Sequence, residues 1–352
     1  MKPGHPRIAL RRGTLLLALA VNALLGDCPV NAQPDPGGVC ANSAAEAGFS
    51  PPEVPASSRE IAPLPRHLHL NSAEVELGRR LFLDRRLSGA GTVSCASCHP
   101  LGKYGADGLP HSIGTNGRAG DRNAPTVFNS GFRFRQFWDG RAATLEAQVD
   151  GPIANHAEMD SGWALITRRL SSDHALQALS EQACSAPLSP TVMRAAIATF
   201  ERSLVTPDAP FDRFLRGDSD AISPKAKAGW ILFKSLGCIA CHQGIDIGGN
   251  MFAPIGMLGD YFALQGRKPV KADLGLENLT HSALDKYKFV VPGLRNVAET
   301  APYFHDGSVK RLDKAVDIMA RVQLGIRLDS AQTRELVAFL KSLTGHLPAT
   351  AP

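Results

Sequence analysis

The chain has 352 residues, a formal charge of +5 and a hydrophobic share of 44%, enough for two modest domains that each bury a core. Its first 32 residues hold Lys2, Arg7, Arg11 and Arg12 against Asp27, so the remainder carries only +2. A nearly neutral chain gives no electrostatic case for nucleic acid or an anionic membrane as partner.

Residues 1–32 read as a secretory signal peptide. The four basic residues form its n-region, Leu15 to Leu25 a short apolar stretch, and Val30-Asn31-Ala32 a cleavage site. The apolar stretch is too short to span a bilayer. Arg11-Arg12 hints at twin-arginine export. Leu25-Gly26-Asp27-Cys28 sits where a lipoprotein box would be, but Asp27 is a poor residue before a lipidated cysteine. The expectation is a soluble periplasmic protein. Residues 33–70 are Pro-, Gly-, Ala- and Ser-rich at first and read as a linker or wrapping arm.

Asn71-Ser72 opens a helix with Glu74 and Glu76 in its first turns and Leu77, Leu81 and Phe82 on one side. Cys95-Ala96-Ser97-Cys98-His99 follows. A further helix is predicted from Thr191 to Leu204, with Met193, Ile197 and Phe200 at helical spacing. Val205 to Asp220 is the best interdomain boundary. Ser223-Pro224 opens the helix leading to Cys238-Ile239-Ala240-Cys241-His242. Gly78-Arg79-Arg80-Leu81-Phe82 and Gly229-Trp230-Ile231-Leu232-Phe233 share a G-x-x-L-F pattern ahead of the two cysteine motifs, a weak internal repeat. The last predicted helix runs from Ser330 to Leu343, with Leu336, Phe339, Leu340 and Leu343 inward and Gly345 as terminator. No alternating run is long enough to suggest a sheet. The expected fold is all-α: two cytochrome c-like domains, 71–205 and 206–345, with long irregular loops and a tail at 346–352.

Two copies of C-x-x-C-H read as covalent attachment of two haem c groups. Cys95, Cys98, Cys238 and Cys241 would form thioethers, and His99 and His242 would ligate the irons. A zinc site built from two C-x-x-C pairs would not require a histidine after each pair. Cys40 and Cys184 remain; they could pair in an oxidising compartment or stay as two unrelated thiols.

Arg122-Asn123-Ala124-Pro125-Thr126-Val127-Phe128-Asn129, then Phe137-Trp138-Asp139-Gly140-Arg141, Gln148 and Glu158-Met159 resemble the bacterial di-haem cytochrome c peroxidases. Val291 to Asn296, Thr300 to Gly307 and Met319 to Gly325 continue the resemblance, which covers residues 71–345 with both haem motifs in order. It implies a low-potential peroxidatic haem on His99 and a high-potential electron-entry haem on His242. Met319 would be the sixth ligand of the second haem; without the resemblance it would read as core filling. The related MauG-type enzymes use tyrosine there. Glu158 would be the catalytic acid–base, where a lone glutamate is otherwise a solvated loop residue, and nearby His156 reads as a surface histidine. Trp138 would lie between the haems. Asn123, Thr300 and Pro302 would hold a calcium ion.

One departure stands out. Many members of this family carry a histidine where this chain has Thr115, and it blocks the peroxidatic haem in the oxidised state. His111, four residues earlier, either ligates the first haem after a rearrangement, or that haem has no protein sixth ligand. The offset changes reach by several ångströms and favours the second. The resemblance implies a peroxidase that takes H2O2 and electrons from a periplasmic monohaem cytochrome c or a cupredoxin. A homodimer is compatible with it. The alternatives are a MauG-like oxidase acting on a protein substrate and a non-catalytic electron-transfer cytochrome.

Overall fold

The computed structural model describes Cys40 and residues 61–348. The expected signal peptide and cleavage site, Cys28 and most of the expected N-terminal arm lie outside the described residues. These residues are mostly helical, with little strand. None of their helices is long and apolar enough to cross a membrane.

Helix α1 (Ser72–Leu83) starts where the sequence places it. The Asn71 side chain accepts from the amides of Ala73 and Glu74, satisfying N–H groups that a helix start leaves without partners. Helices α2 (Leu145–Ala154), α3 (Trp163–Leu170) and α4 (His174–Cys184) follow, then α5 (Pro190–Ser203), capped by Ser189 with proline in its first turn. In the second half, α6 (Pro224–Ser235) is capped by Ser223, and α7 (Leu312–Leu324) and α8 (Ser330–Lys341) complete the set. The region 205–220, expected as a boundary, contains a short helix, Pro210–Leu215, with Phe211 and Asp212 buried.

The G-x-x-L-F repeat has a packing reason. A Cβ on Gly78 would lie 1.9 Å from the carbonyl oxygen of Ala196, and one on Gly229 would lie 2.0 Å from that of Glu335. Each glycine therefore lets α1 cross α5, or α6 cross α8, at backbone contact. The phenylalanine of each pattern packs beside the crossing. Phe82 meets Phe200 with ring centroids 5.3 Å apart, and Phe233 meets Phe339 at 5.0 Å. Such aromatic pairs contribute about 0.5–1.5 kcal/mol beyond their burial. Each crossing anchors one of the two main apolar cores.

The duplication extends further than the sequence suggested. Asn129 and Asn296 both have φ of 60°, and Phe137 and Phe304 have φ of 68° and 69°. Bulky side chains rarely adopt this left-handed region. Single antiparallel bridges pair Gln136 with Ala142 and Tyr303 with Val309. Helices α2 and α7 then begin at equivalent positions, Leu145 and Leu312. In this register Trp138 corresponds to His305, and Pro152 of α2 to Met319 of α7.

Two expectations need correction. Helix α8 ends at Lys341, not Leu343, and Gly345 is not its terminator. A Cβ on Gly345 would meet the Thr206 carbonyl oxygen at 2.0 Å, so this glycine permits a chain approach instead. Strands β1 (Phe252–Pro254) and β2 (Lys288–Val290) also pair antiparallel. Three residues each are too few for an alternating pattern to register. Cys40 and Cys184 form a disulfide, joining the arm to the end of α4 with Cα atoms 4.9 Å apart.

Candidate active site

The Cys95–Cys98 turn presents its two thiols on one side of a cavity and delivers His99 beside them. The His99 Nδ1 lies 3.1 Å from the Gly105 carbonyl oxygen, which fixes the tautomer and turns Nε2 away from that carbonyl. Burial lowers the pKa of His99, opposed by the carbonyls of Gly105 and Pro125. Burial likewise raises Cys95 and Cys98.

Glu158, Gln148 and Pro152 line the same space, and Trp138, Arg141, Ser112 and Gly114 line an adjoining cavity that shares His99 and Glu158 with it. Asn155 donates from its side chain to Glu158 Oε1 at 2.6 Å. Burial is the largest influence on Glu158 and raises its pKa, against the Asn155 hydrogen bond and the Arg141 charge. The carboxyl is therefore aimed by its own loop.

Thr115 is fully buried, and its amide donates to the Glu158 carbonyl oxygen at 2.7 Å. Gly114 makes that docking possible, because a Cβ there would lie 2.2–2.6 Å from backbone atoms of Ala157 and Glu158. Arg118 adds a hydrogen bond to the His156 carbonyl oxygen at 3.1 Å. His111 does not line this cavity, and its Nδ1 is buried without a partner. The His156 side chain is 84% exposed and pairs with Asp160.

Trp138 sits at the junction of the two halves. Its Nε1–H donates to the Asn123 carbonyl oxygen at 2.9 Å, and its own carbonyl accepts from the Val290 amide at 2.9 Å. Its ring meets Phe289 and His305 edge-on at 6.4 and 6.3 Å. The Asn123 amide donates to the His305 carbonyl oxygen. Asn123 thereby meets the segment holding Thr300 and Pro302, whose Ala301–Pro302 peptide bond is cis.

The second motif forms a tight turn at Cys238–Ala240. Burial takes His242 down to about 4, opposed by the carbonyls of Ile247 and Pro292 that face its ring. Its Nδ1 is buried with no hydrogen bond closed on it. Cys238 and Ile239 pack on the same core as Leu312 and Val316 of α7. Met319 lies one turn beyond Val316 on that helix.

None of the four motif cysteines is joined in a disulfide. No group of three or more His, Cys, Asp or Glu side chains among the described residues could hold a metal ion. The C-x-x-C pairs therefore do not converge on a zinc site. Two thiols, an adjacent tautomer-fixed imidazole and an apolar slot lined by Leu87, Val93, Val149 and Ile197 suit a covalently held haem.

The di-haem cytochrome c peroxidase family matches residues 72–220. The chain is 42% identical to the cytochrome c551 peroxidase of Pseudomonas aeruginosa, over 79% of this chain and 81% of that protein. It belongs to the di-haem cytochrome c peroxidase family. The cytochrome c peroxidase Ccp of Escherichia coli is 46% identical over 81% of this chain, which spans 61% of that longer relative. A MauG-like protein associated with microbial copper homeostasis matches in crystal structure with a TM-score of 0.70 and 30% identity, covering 81% of this chain and 93% of that one. For a peroxidase of this family, sequence reasoning had singled out Glu158 and Trp138 but missed Gly114, Asn155 and Glu201. Glu201 is 5% exposed, faces the cavity from α5, and is pushed up to about 8 by burial. A charged residue one turn from Ile197, on the apolar face of that helix, was the available signal.

Proposed function

We propose that the chain reduces H2O2 to two waters in the periplasm, drawing two electrons from a monohaem cytochrome c or a cupredoxin. The observation that carries this reading is Glu158 beside His99 in one cavity from which His111 is absent. His99 and His242 would each hold a haem iron, with Cys95 and Cys98, and Cys238 and Cys241, as the attachment points. Bound haem would supply the electron exchange and the polarisation of the peroxide bond. Glu158 would take the proton from one peroxide oxygen and return it to the other, so that water can leave. Asn155 keeps the carboxyl oriented for both steps.

The two halves act as cytochrome c-like domains with unequal sites. Met319 would be the sixth ligand of the second haem, raising its potential for electron entry. The equivalent position in the first half is Pro152, which offers no ligating atom. Trp138 would lie on the route between the haems. Asn123, Thr300 and Pro302 would hold a calcium ion where the halves meet.

The test is steady-state peroxide turnover with a reduced small cytochrome c as donor; no turnover would sink the proposal. The oxidised protein is expected to show a high-spin ferric signal from the first haem and to bind cyanide promptly. A purely low-spin spectrum would mean that a side chain has entered the sixth position. Gly114→Val is expected to displace the Glu158 segment and lower turnover by about 10²-fold, the scale of an ångström-sized misplacement. Both haems should stay attached; parent-like turnover would show that the loop absorbs the extra atoms.

A further inference from the structure

The carbonyls that face the two imidazoles belong to loops that meet at one buried ion pair. On the first side, His99 is faced by Gly105 and Pro125. Thr126, the residue after Pro125, donates its hydroxyl to the Tyr104 carbonyl, tying both carbonyl-bearing segments together. The Arg133 guanidinium holds the Thr126 carbonyl oxygen at 3.1 Å and that of Phe128 at 3.3 Å. Arg133 also lines the cavity that contains His99.

Its Nε donates to Asp246 Oδ2 at 2.9 Å, with the two side chains 11% and 1% exposed. Asp246 precedes Ile247, one of the two residues whose carbonyls face His242. Its own carbonyl accepts from the Leu294 amide in the segment that follows Pro292, the other such residue. Gly293 leaves room for the carboxylate, since a Cβ there would lie 1.9 Å from Asp246 Oδ2. Asp246 Oδ1 is buried without a hydrogen bond, so this carboxylate relies on Arg133 for its principal partner. A continuous series of contacts thus runs from the supports of one imidazole to those of the other, separately from Trp138.

We infer that Arg133 and Asp246 form a positioning pair that couples the electronic state of each haem iron to the histidine of the other haem. The inference rests on the assignment of His99 and His242 as haem ligands. Coupling of this kind is reciprocal and commonly changes an equilibrium by fivefold or more. An ion pair excluded from water transmits small displacements and charge changes with little screening.

The experiment uses the holoprotein and records the ferric signal of the first haem by electron paramagnetic resonance. Spectra are taken with the second haem oxidised and again after its selective reduction. In the parent, the first-haem signal is expected to shift between the two conditions. In Asp246→Asn that shift should be at least about fivefold smaller, and Asp246→Glu should restore most of it. Arg133→Met/Asp246→Leu, which leaves no buried charge to destabilise the fold, should also lose it. A parent without a shift, or a shift of parental size in both Asp246→Asn and the double variant, overturns the inference. Absorbance of fewer than two covalent haems per parent chain would instead overturn the haem assignment.

Discussion

Glu158→Gln is expected to lower peroxide turnover by about 10²–10⁴-fold, the range typical of losing a positioned acid–base group. Glutamine is nearly isosteric and can still meet Asn155, so both haems should remain attached and the loop should keep its contact through the Thr115 amide. Only the capacity to carry a proton is removed. Turnover within a few-fold of the parent would take Glu158 out of the mechanism. The acid limb of kcat/KM supplies a second check. Burial raises Glu158 above the ordinary 4.5, and the proton-accepting form is the carboxylate. Activity should therefore fall as pH drops through a point above 4.5, and the limb should vanish in Glu158→Gln. A limb at or below 4.5 would mean that another group is being titrated.

Arg295→Met should produce the largest loss of stability. Both Arg295 and Asp212 have side chains that are 0% exposed, with Nη1 and Oδ1 2.7 Å apart. The guanidinium also donates to the carbonyls of Ile245 at 2.7 Å and Ala62 at 2.8 Å. One side chain thereby joins the arm, the Pro210–Leu215 helix and the loop after the second haem motif. Removing it leaves a carboxylate buried without its cation, which costs about 3–5 kcal/mol. Replacing both partners, as Arg295→Met/Asp212→Leu, should recover most of that loss because no uncompensated charge remains. Denaturant midpoints of the holoproteins measure both. A single variant within about 1 kcal/mol of the parent would show that Asp212 is neutralised or hydrated by other means.

The helix starts at Asn71-Ser72 and Ser223-Pro224 were legible because their causes are local in sequence. So were the haem motifs, which concentrate their chemistry in five residues each. The crossings behind the G-x-x-L-F repeat were not, since Gly78 meets Ala196 and Gly229 meets Glu335 only in space. Helices α2, α3, α4 and α7 were not identified; α2 carries Pro152 in its interior, and α3 is only eight residues long. The Arg133–Asp246 and Arg295–Asp212 pairs join residues more than 80 positions apart, and no pattern along a single chain brings such partners together. Glu158 was singled out as a candidate, but the loop that aims it was not, because Gly114 acts through a close approach visible only in space. The second copy of the Asn129–Gly140 turn escaped notice since the two share backbone geometry more than residue identity.

The Cys40–Cys184 disulfide sets a sorting problem for biogenesis. Six described cysteines can pair completely in fifteen ways, yet on the proposed haem assignment four must reach the attachment step as thiols. Within each motif the cysteines are near neighbours, whereas Cys40 and Cys184 are 144 positions apart. Oxidation acting on an extended chain would close the short pairs first, because shorter loops lose less entropy on closure. Thioether formation at the proposed haem sites would withdraw the four motif sulfurs from further exchange and leave Cys40 and Cys184 as mutual partners. On the proposed haem assignment, the two short pairs would have to be kept or returned to the thiol form until haem is attached, in a chain that also carries the long-range Cys40–Cys184 bond.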